Sequence, residues 1–101
     1  MNPMTNLYLV HSPEHHWFKI GITDNVTKRF QEIQYGVPFK VKLLEVFTFV
    51  ERKVALAVEK ELHRTYKEQR LRGEWFSKLD ITEVQDIVRS YIFISAFLGV
   101  E

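Results

Sequence analysis

Two short apolar runs near the start of the chain, joined by a turn, constrain the fold most. Residues 7–11 and 17–22 have the composition of strands. The connection between them, residues 12–16, contains Pro13 and has the chemistry of a turn. Two strands this close in sequence predict a hairpin, so a sheet is the expected organising element of the fold.

The middle of the chain predicts two helices and one further strand. Asp24 or Asn25 can cap a helix that ends before Gly36. Residues 40–49 are rich in Val, Leu and Phe and predict a third strand, although alternation breaks at Leu43-Leu44. Helical spacing then predicts a second helix over residues 52–67.

The C-terminal part adds one more helix. Residues 73–77 are a loop or an edge strand, and Asp80 with Glu83 makes a capping-box-like start to a helix over about residues 80–98. The predicted order is β-β-α-β-α-α. This order indicates the α/β class of the α+β type, with a small three-stranded, mainly antiparallel sheet flanked by helices. Residues 1–101 are expected to form a single domain.

Composition indicates a globular protein. Hydrophobic residues make up 46% of the chain and aromatic residues 14%, which excludes a disordered chain. The chain has no cysteine and no secretory signal at its start, so we expect a cytoplasmic, intracellular protein. The longest apolar run, residues 91–98, is too short to span a membrane. It is a last core helix or a surface for self-association.

The net charge is only +1, but the charges are unevenly distributed. Residues 51–78 carry eight Lys or Arg against five Glu. Such a basic segment can face a polyanion, or it can be a solvated helix face of mixed charge. Charge alone does not decide between these interpretations.

The second predicted helix carries an acid on its apolar side. At about 100° per residue, one apolar stripe consists of Ala55, Val58, Leu62 and Tyr66. Glu59 falls inside this stripe, and His63 lies one turn further on. A carboxylate on the core side of a helix is costly unless a cation, a metal or a hydrogen-bond donor meets it. The alternatives are a buried salt bridge or a helix rotated enough to expose Glu59.

The stretch FKIGITDNVTKRF, residues 18–30, brings two cations toward the same place. Lys19 and Gly21 share one face of the predicted strand, and Gly21 is expected to leave backbone accessible beside Lys19. Arg29 flanks the apolar stripe of the following helix, and Tyr8 can join from the neighbouring strand. A phosphate would satisfy both cations, and a divalent cation would satisfy the acid of the second helix. This combination suits phosphodiester chemistry, or it describes an internal ion-pair network.

The ordered set of Tyr8, KIG at residues 19–21, Arg29 and a helix carrying Glu59 resembles the GIY-YIG endonuclease superfamily. The stretches FKIGIT, VEKELH and RLRGEWF resemble a phage and bacterial branch of it, in which KIG stands for YIG. The resemblance covers residues 7–77. It implies a three-stranded antiparallel sheet flanked by helices and cleavage of a nucleic-acid backbone with one divalent metal ion.

The resemblance also implies roles for individual residues. Glu59 would bind Mg²⁺ or Mn²⁺, and Arg29 would hold the scissile phosphate. Tyr8 would orient or deprotonate the attacking water. Lys19 stands where most members carry a second tyrosine, and its ammonium would lower the pKa of Tyr8 or contact the phosphate. His63 lies one helical turn from Glu59, so it is a candidate for the site, with a histidine that only packs the helix as the alternative.

Other side chains are candidates for binding the nucleic acid, which is expected to be DNA, with RNA left open. They are Lys28, Arg70, Arg72 and Trp75. Trp75 can stack on a base, or it can close the core together with Phe76. His11, His15 and His16 lie near a turn, where imidazoles usually face solvent, so they are not assigned to a metal.

Two functions from different classes follow. The first is a metal-dependent endonuclease of phage or mobile-element biology that hydrolyses DNA. The second is a catalytically weak or inactive nucleic-acid-binding or protein-interaction module with the same fold. The near-neutral charge and the lack of an evident late asparagine, which many superfamily members carry, favour the second hypothesis. DNA cleavage with a divalent metal distinguishes the two.

Overall fold

The computed structural model describes the backbone of residues 4–97 and the side chains of residues 4–92. Eight regular elements and one short 3₁₀ turn, Lys67–Gln69, follow each other along the chain. The elements are β1 (Thr5–Ser12), β2 (Trp17–Thr23), α1 (Val26–Tyr35), β3 (Lys42–Phe49), α2 (Arg52–Thr65), β4 (Arg70–Arg72), β5 (Trp75–Phe76) and α3 (Ile81–Phe97). The α+β class predicted from the sequence is confirmed.

The sheet has five antiparallel strands in the order β3-β1-β2-β5-β4. The prediction of three strands is therefore wrong. β4 has three residues and β5 has two. Strands this short are too short to show the alternation of apolar and polar residues that predicts a strand. Their place in the sheet depends on long-range pairing with β2, in which Lys19 faces Trp75.

The break in alternation within β3 corresponds to a bulge. Leu9 of β1 pairs with Glu45, whereas the next residue, Val10, pairs with Leu43. Leu44 is therefore the extra residue on β3. The sequence irregularity at Leu43-Leu44 thus marked a real feature of the sheet.

The helix ends follow the predicted caps. Asn25 is the N-cap of α1, and its side chain accepts a hydrogen bond from the backbone N–H of Lys28 at 3.0 Å. Asp80 Oδ1 accepts from the N–H of Glu83 at 3.1 Å before α3. The second helix is shorter than predicted: α2 ends at Thr65, because the chain tightens into the 3₁₀ turn after it.

Two cores lie on opposite sides of the sheet because alternate residues of β1 point in opposite directions. Leu7 and Leu9 pack with the apolar stripe of α2 and with α3. Tyr8 and Val10 pack with α1 and the loop after it, in contact with Ile33. All four predicted stripe residues of α2 are buried. The helix is therefore not rotated away from the core.

The apolar C-terminal run is only partly described. α3 extends to Phe97, but side chains beyond residue 92 and the whole of residues 98–101 lie outside the described part, as do residues 1–3. The predicted self-association surface therefore stays a prediction. No helix within residues 4–97 is long and apolar enough to cross a membrane.

Candidate functional site

Tyr8 lies at the centre of a polar group on the α1 side of the sheet. Its side chain is 2% exposed, although it ends in a hydroxyl. Tyr8 Oη donates to Glu74 Oε1 at 3.2 Å. Arg29 Nε donates to Tyr8 Oη at 3.3 Å. The phenol is thus fixed between the carboxylate of Glu74 and the guanidinium of Arg29, which lie on different parts of the chain.

Burial raises the pKa of Tyr8 to about 12. The hydrogen bond from Arg29 acts in the opposite direction, and the charge of Glu74 adds to the rise. Tyr8 is consequently a neutral phenol near pH 7. This differs from the expectation that Lys19 lowers the pKa of Tyr8, because the nearby carboxylate and the loss of water favour the protonated form.

Lys19 is held close to the same acid. Its ammonium lies 3.5 Å from Glu74 Oε1 and 5.4 Å from the centre of the Trp75 ring. Only 12% of the Lys19 side chain is exposed. Burial lowers the pKa of Lys19, while the charge of Glu74 opposes that effect. Lys19 is therefore a desolvated cation beside an aromatic face.

Glu74 is the site residue that the sequence reasoning missed. It lies between Gly73, which has a φ of +58°, and Trp75 at the start of β5. Its backbone carbonyl accepts from the N–H of Ile20 at 3.1 Å, which fixes it beside β2. The only signal was its place in RLRGEWF. Nothing in the local periodicity showed that this acid would reach Tyr8 across the sheet.

Gly21 is required by the packing of Tyr8 and Glu74. A Cβ at this position would lie 2.3 Å from Tyr8 Oη and 2.7 Å from Glu74 Oε1. The expectation that Gly21 leaves open backbone beside Lys19 is therefore wrong. The absent side chain makes room for the tyrosine hydroxyl and the carboxylate, and Gly21 itself is buried.

Glu59 approaches the group from α2, which packs on the opposite side of the sheet. Burial raises the pKa of Glu59, and the nearby charge of Glu74 raises it further, while His63 opposes the shift. Within residues 4–92, Glu59 has no ion pair. The sequence alternative of a buried salt bridge is therefore wrong. The charge of Glu74 nevertheless acts on Glu59.

His63 fixes α2 against the middle of β2. Its Nε2 lies 3.1 Å from the backbone oxygen of Ile20. Because a carbonyl can only accept, Nε2 carries the proton in this contact. The ring also packs edge-on against Phe76, with centroids 5.1 Å apart. His63 thus positions the helix that carries Glu59.

Lys19 and Arg29 line one open cavity of about 200 Å³, here called the cation cavity. Its other walls include the end of α1 and the side chain of Trp75. The Arg29 side chain is 39% exposed and pairs with Glu32 at 3.3 Å. The two cations predicted to hold a phosphate therefore share a solvent-accessible surface.

The remaining predicted residues are distributed around this centre. Lys28, Arg70 and Arg72 are exposed. Lys28 and Arg70 do not line the cation cavity, and Arg70 Nε donates to the carbonyl of Gly73 at 2.7 Å, inside the turn between β4 and β5. Trp75 is half-buried beside the cavity, whereas its neighbour Phe76 belongs to the core.

The turn histidines make no metal cluster in the described part of the chain. His15 Nδ1 lies 3.0 Å from Ser12 Oγ, and its ring stacks on Trp17 with centroids 4.3 Å apart. His11 stacks on Phe18 at 4.6 Å. Two of the three imidazoles therefore pack against aromatic rings.

Comparison with protein families gives the family of the chain. The model of the T5orf172 domain matches residues 6–92. The chain belongs to the T5orf172 domain family. The T5orf172 family is associated with phage and bacterial nuclease-like proteins and with nucleic-acid interaction. Searches of curated proteins and of solved structures found no match. All residues of the polar group lie inside the T5orf172 match.

Proposed function

We propose that this T5orf172 domain is a metal-dependent endonuclease that hydrolyses DNA phosphodiester bonds through a GIY-YIG-type site. The observation that carries the proposal is the cation cavity, which Lys19 and Arg29 line together, with the carboxylate of Glu74 3.5 Å from the Lys19 ammonium. Cleavage of a phosphodiester needs positive charge beside the phosphate. It also needs oxygen ligands that can hold a metal ion nearby.

Glu59 has the properties of a ligand for Mg²⁺ or Mn²⁺. It is a half-buried carboxylate with no ion pair in residues 4–92, and a neighbouring acid raises its pKa. A bound cation would relieve both the burial and the repulsion. Mg²⁺ commonly takes only one or two protein carboxylates and completes its shell with water and phosphate oxygens. Such an ion supplies charge stabilisation at a phosphate oxygen.

Arg29 and Lys19 would bind the scissile phosphate. Arg29 is partly exposed, with its Nε bonded to Tyr8 and its Nη1 to Glu32, which leaves other N–H groups of the guanidinium for a phosphate. Lys19 is the more desolvated of the two cations, which strengthens its interaction with an anion. As negative charge builds on phosphorus-bound oxygens, both side chains stabilise it without moving far.

Tyr8 would pass a proton rather than act as a free phenolate. Its pKa of about 12 disfavours the phenolate near neutral pH. Tyr8 Oη already donates to Glu74 Oε1. An attacking water can therefore give its proton to Tyr8 Oη while the phenol proton moves to Glu74 Oε1. Tyr8 stays neutral throughout, and Glu74 becomes the protonated acid.

Plasmid nicking in Mg²⁺ or Mn²⁺ tests the proposal. Wild type is expected to nick DNA, whereas Glu59→Ala and Arg29→Ala lose at least about a hundredfold in rate, the size of one lost charge-stabilising contact. Tyr8→Phe and Glu74→Gln are also expected to lose cleavage. Wild type that is inert on all DNA substrates, or full activity in both alanine variants, contradicts it.

Matched controls remove the same types of charge outside the cation cavity. Glu61→Ala removes an acid of α2 that pairs with Arg64 at the surface. Arg89→Ala removes an exposed cation of α3. Both variants are expected to nick DNA at the wild-type rate. Equal losses in these controls would indicate a general effect of charge or stability instead of the proposed site.

A second candidate is a nucleic-acid-binding module without cleavage. It is favoured by one observation: Glu74 pairs with Lys19 and accepts from Tyr8, so these three side chains already satisfy one another. Salt-sensitive DNA binding that persists in Glu59→Ala, with no cleavage in any metal, would favour this function over hydrolysis.

A further inference from the structure

An aromatic groove lies next to the cation cavity and has no role in the proposed chemistry. Its walls are Trp17, Phe39, Leu71, Arg72 and Trp75. The groove has a volume of about 310 Å³. This is at the small end of the range of about 300–1,000 Å³ for ligand pockets, so the groove suits one small planar group.

The aromatic walls are held in place by contacts with each other. Phe39 packs edge-on against Trp17, with centroids 5.9 Å apart at 78°, and against Trp75, with centroids 6.0 Å apart at 72°. His15 stacks behind Trp17. The three wall rings nonetheless remain partly exposed. These contacts hold the walls in one arrangement, so filling the groove requires little ordering of side chains.

Trp75 connects the groove to the cation cavity. It lines both spaces, and the Lys19 ammonium lies 5.4 Å from its ring centre. Lys19 and Trp75 are also direct partners across β2 and β5. A phosphate over Lys19 and Arg29 would thus lie one side chain away from the groove.

Charge indicates which kind of molecule would fill the groove. Arg72 forms part of its wall on one side, and Lys19 with Arg29 lies beyond Trp75 on the other. An apolar slot between cations matches a base carried on a phosphate backbone better than an apolar peptide. A base inside a duplex is stacked on its neighbours and could enter only after leaving the stack.

We propose that the aromatic groove binds one unstacked nucleobase of the DNA strand whose phosphate occupies the cation cavity. The preferred substrate is then single-stranded DNA or a duplex with an unpaired nucleotide at that position. This inference rests on the proposed function only in requiring a DNA phosphate over Lys19 and Arg29, and it does not require cleavage.

Tryptophan fluorescence tests the groove directly, because the chain has two tryptophans and both line it. The full chain is titrated in EDTA with a short oligothymidylate and with a series in which one position is abasic. The intact strand is expected to quench the fluorescence. One abasic position should weaken binding by about tenfold, within the range for losing one base–aromatic stack.

Variants assign this effect to the groove. Phe39→Leu is expected to remove most of the difference between intact and abasic strands. Tyr35→Leu is the control, because Tyr35 is 91% exposed and does not line the groove. Tyr35→Leu should keep the full difference in affinity between intact and abasic strands. Thermal melting checks that both variants fold. If Phe39→Leu does not fold, the comparison of intact and abasic strands with the wild-type protein still tests the proposal.

The outcomes separate the two proposals. If no abasic position weakens wild-type binding, or if perfect duplex binds as tightly as single strand, the groove proposal fails even when cleavage is observed. If the base-dependent difference is present and no metal supports cleavage, the endonuclease proposal fails and the groove proposal stands. A wild-type chain that binds no oligonucleotide overturns the groove proposal as well.

Discussion

The burial of Glu59 and the nearby charge of Glu74 together have a cost in stability. The pKa of Glu59 is raised above its ordinary value of 4.5 by burial and by Glu74. The folded chain therefore holds this proton more tightly than the unfolded chain does. Stability should fall as the pH rises from about 4.5 through the raised pKa, and the deficit is complete above it.

Glu59→Gln is accordingly expected to stabilise the protein at pH 7.5, because it removes the charge but keeps the shape. The melting temperature of Glu59→Gln should therefore be higher than that of wild type at this pH. The gain should shrink toward pH 4, where wild-type Glu59 is protonated. Thermal unfolding by circular dichroism measures both effects.

Glu61→Gln is the matched control, because Glu61 lies on the same helix and pairs with Arg64. It should not gain stability. Mg²⁺ is expected to raise the melting temperature of wild type and of this control, but not that of Glu59→Gln. A melting temperature of Glu59→Gln at or below that of wild type at pH 7.5 would count against the raised pKa.

Gly21→Ala tests the close packing of the tyrosine hydroxyl. The new methyl group would lie 2.3 Å from Tyr8 Oη, and Tyr8 is buried, so the ring must shift. We expect a loss of about 1–3 kcal/mol in the free energy of unfolding and loss of cleavage. Urea unfolding and the nicking assay measure these effects.

Gly36→Ala provides the contrast at a second glycine. A Cβ there would come no closer than 3.4 Å to the backbone oxygen of Glu32, and the backbone has a φ of −80°. The free energy of unfolding should stay near that of wild type. An equal loss in the free energy of unfolding for both variants would show that close packing against Tyr8 is not what requires a glycine at position 21.

Among the elements, α2 packs on the sheet through its apolar stripe and also makes a polar contact to it. His63 Nε2 donates to the carbonyl of Ile20, in the middle of β2. His63→Ala should lower the free energy of unfolding by about 1–3 kcal/mol, because it leaves a carbonyl without a partner and a gap beside Phe76. Urea unfolding measures this loss.

His63→Gln separates positioning from chemistry, because its amide can still donate to the carbonyl of Ile20. It should recover much of the stability and also much of the cleavage rate. Restored stability with cleavage still absent would instead mean that the imidazole takes part in the reaction.

The long elements were predictable from the sequence, whereas the shortest ones were not. The stripe of α2, the Asn25 cap and the β3 bulge all have local signals in side-chain spacing or capping chemistry. β5 has two residues, so its pairing with β2 comes from tertiary contacts alone. Glu74 was missed for the same reason, since its position depends on that pairing.

The site was predicted in part for a related physical reason. Strand alternation placed Lys19 on the same face as Gly21, which pairs with Tyr8. Helix spacing placed Glu59 within the stripe of α2 whose apolar residues are buried. Protonation was not predictable in this way. The pKa of Tyr8 depends on burial and on Glu74, and neither is visible from local sequence.

At the scale of the whole molecule, a net charge of +1 limits nonspecific attraction to DNA. We expect binding to depend on the few cations around the groove and cavity, Lys19, Arg29 and Arg72. If these cations neutralise three phosphates of a single strand, a plot of the logarithm of the association constant against the logarithm of the salt concentration should have a slope of about −2. Fluorescence titration between low and moderate salt measures it.

Arg29→Ala should reduce the magnitude of this slope by about 0.7, because one phosphate contact is lost. Arg89→Ala, an exposed cation on α3, is the control and should leave the slope unchanged. A much steeper wild-type slope would indicate that other basic residues, such as those of α2, also face the DNA.

The central position of β1 limits where this chain can change length. β1 is paired on both sides, with β2 and β3, and its alternate residues serve the two separate cores. Inserting one residue before Tyr8 would turn the phenol toward α2 and α3 and an aliphatic side chain toward Arg29. Insertions and deletions among relatives should therefore be found in the turn before Trp17 and be absent from β1.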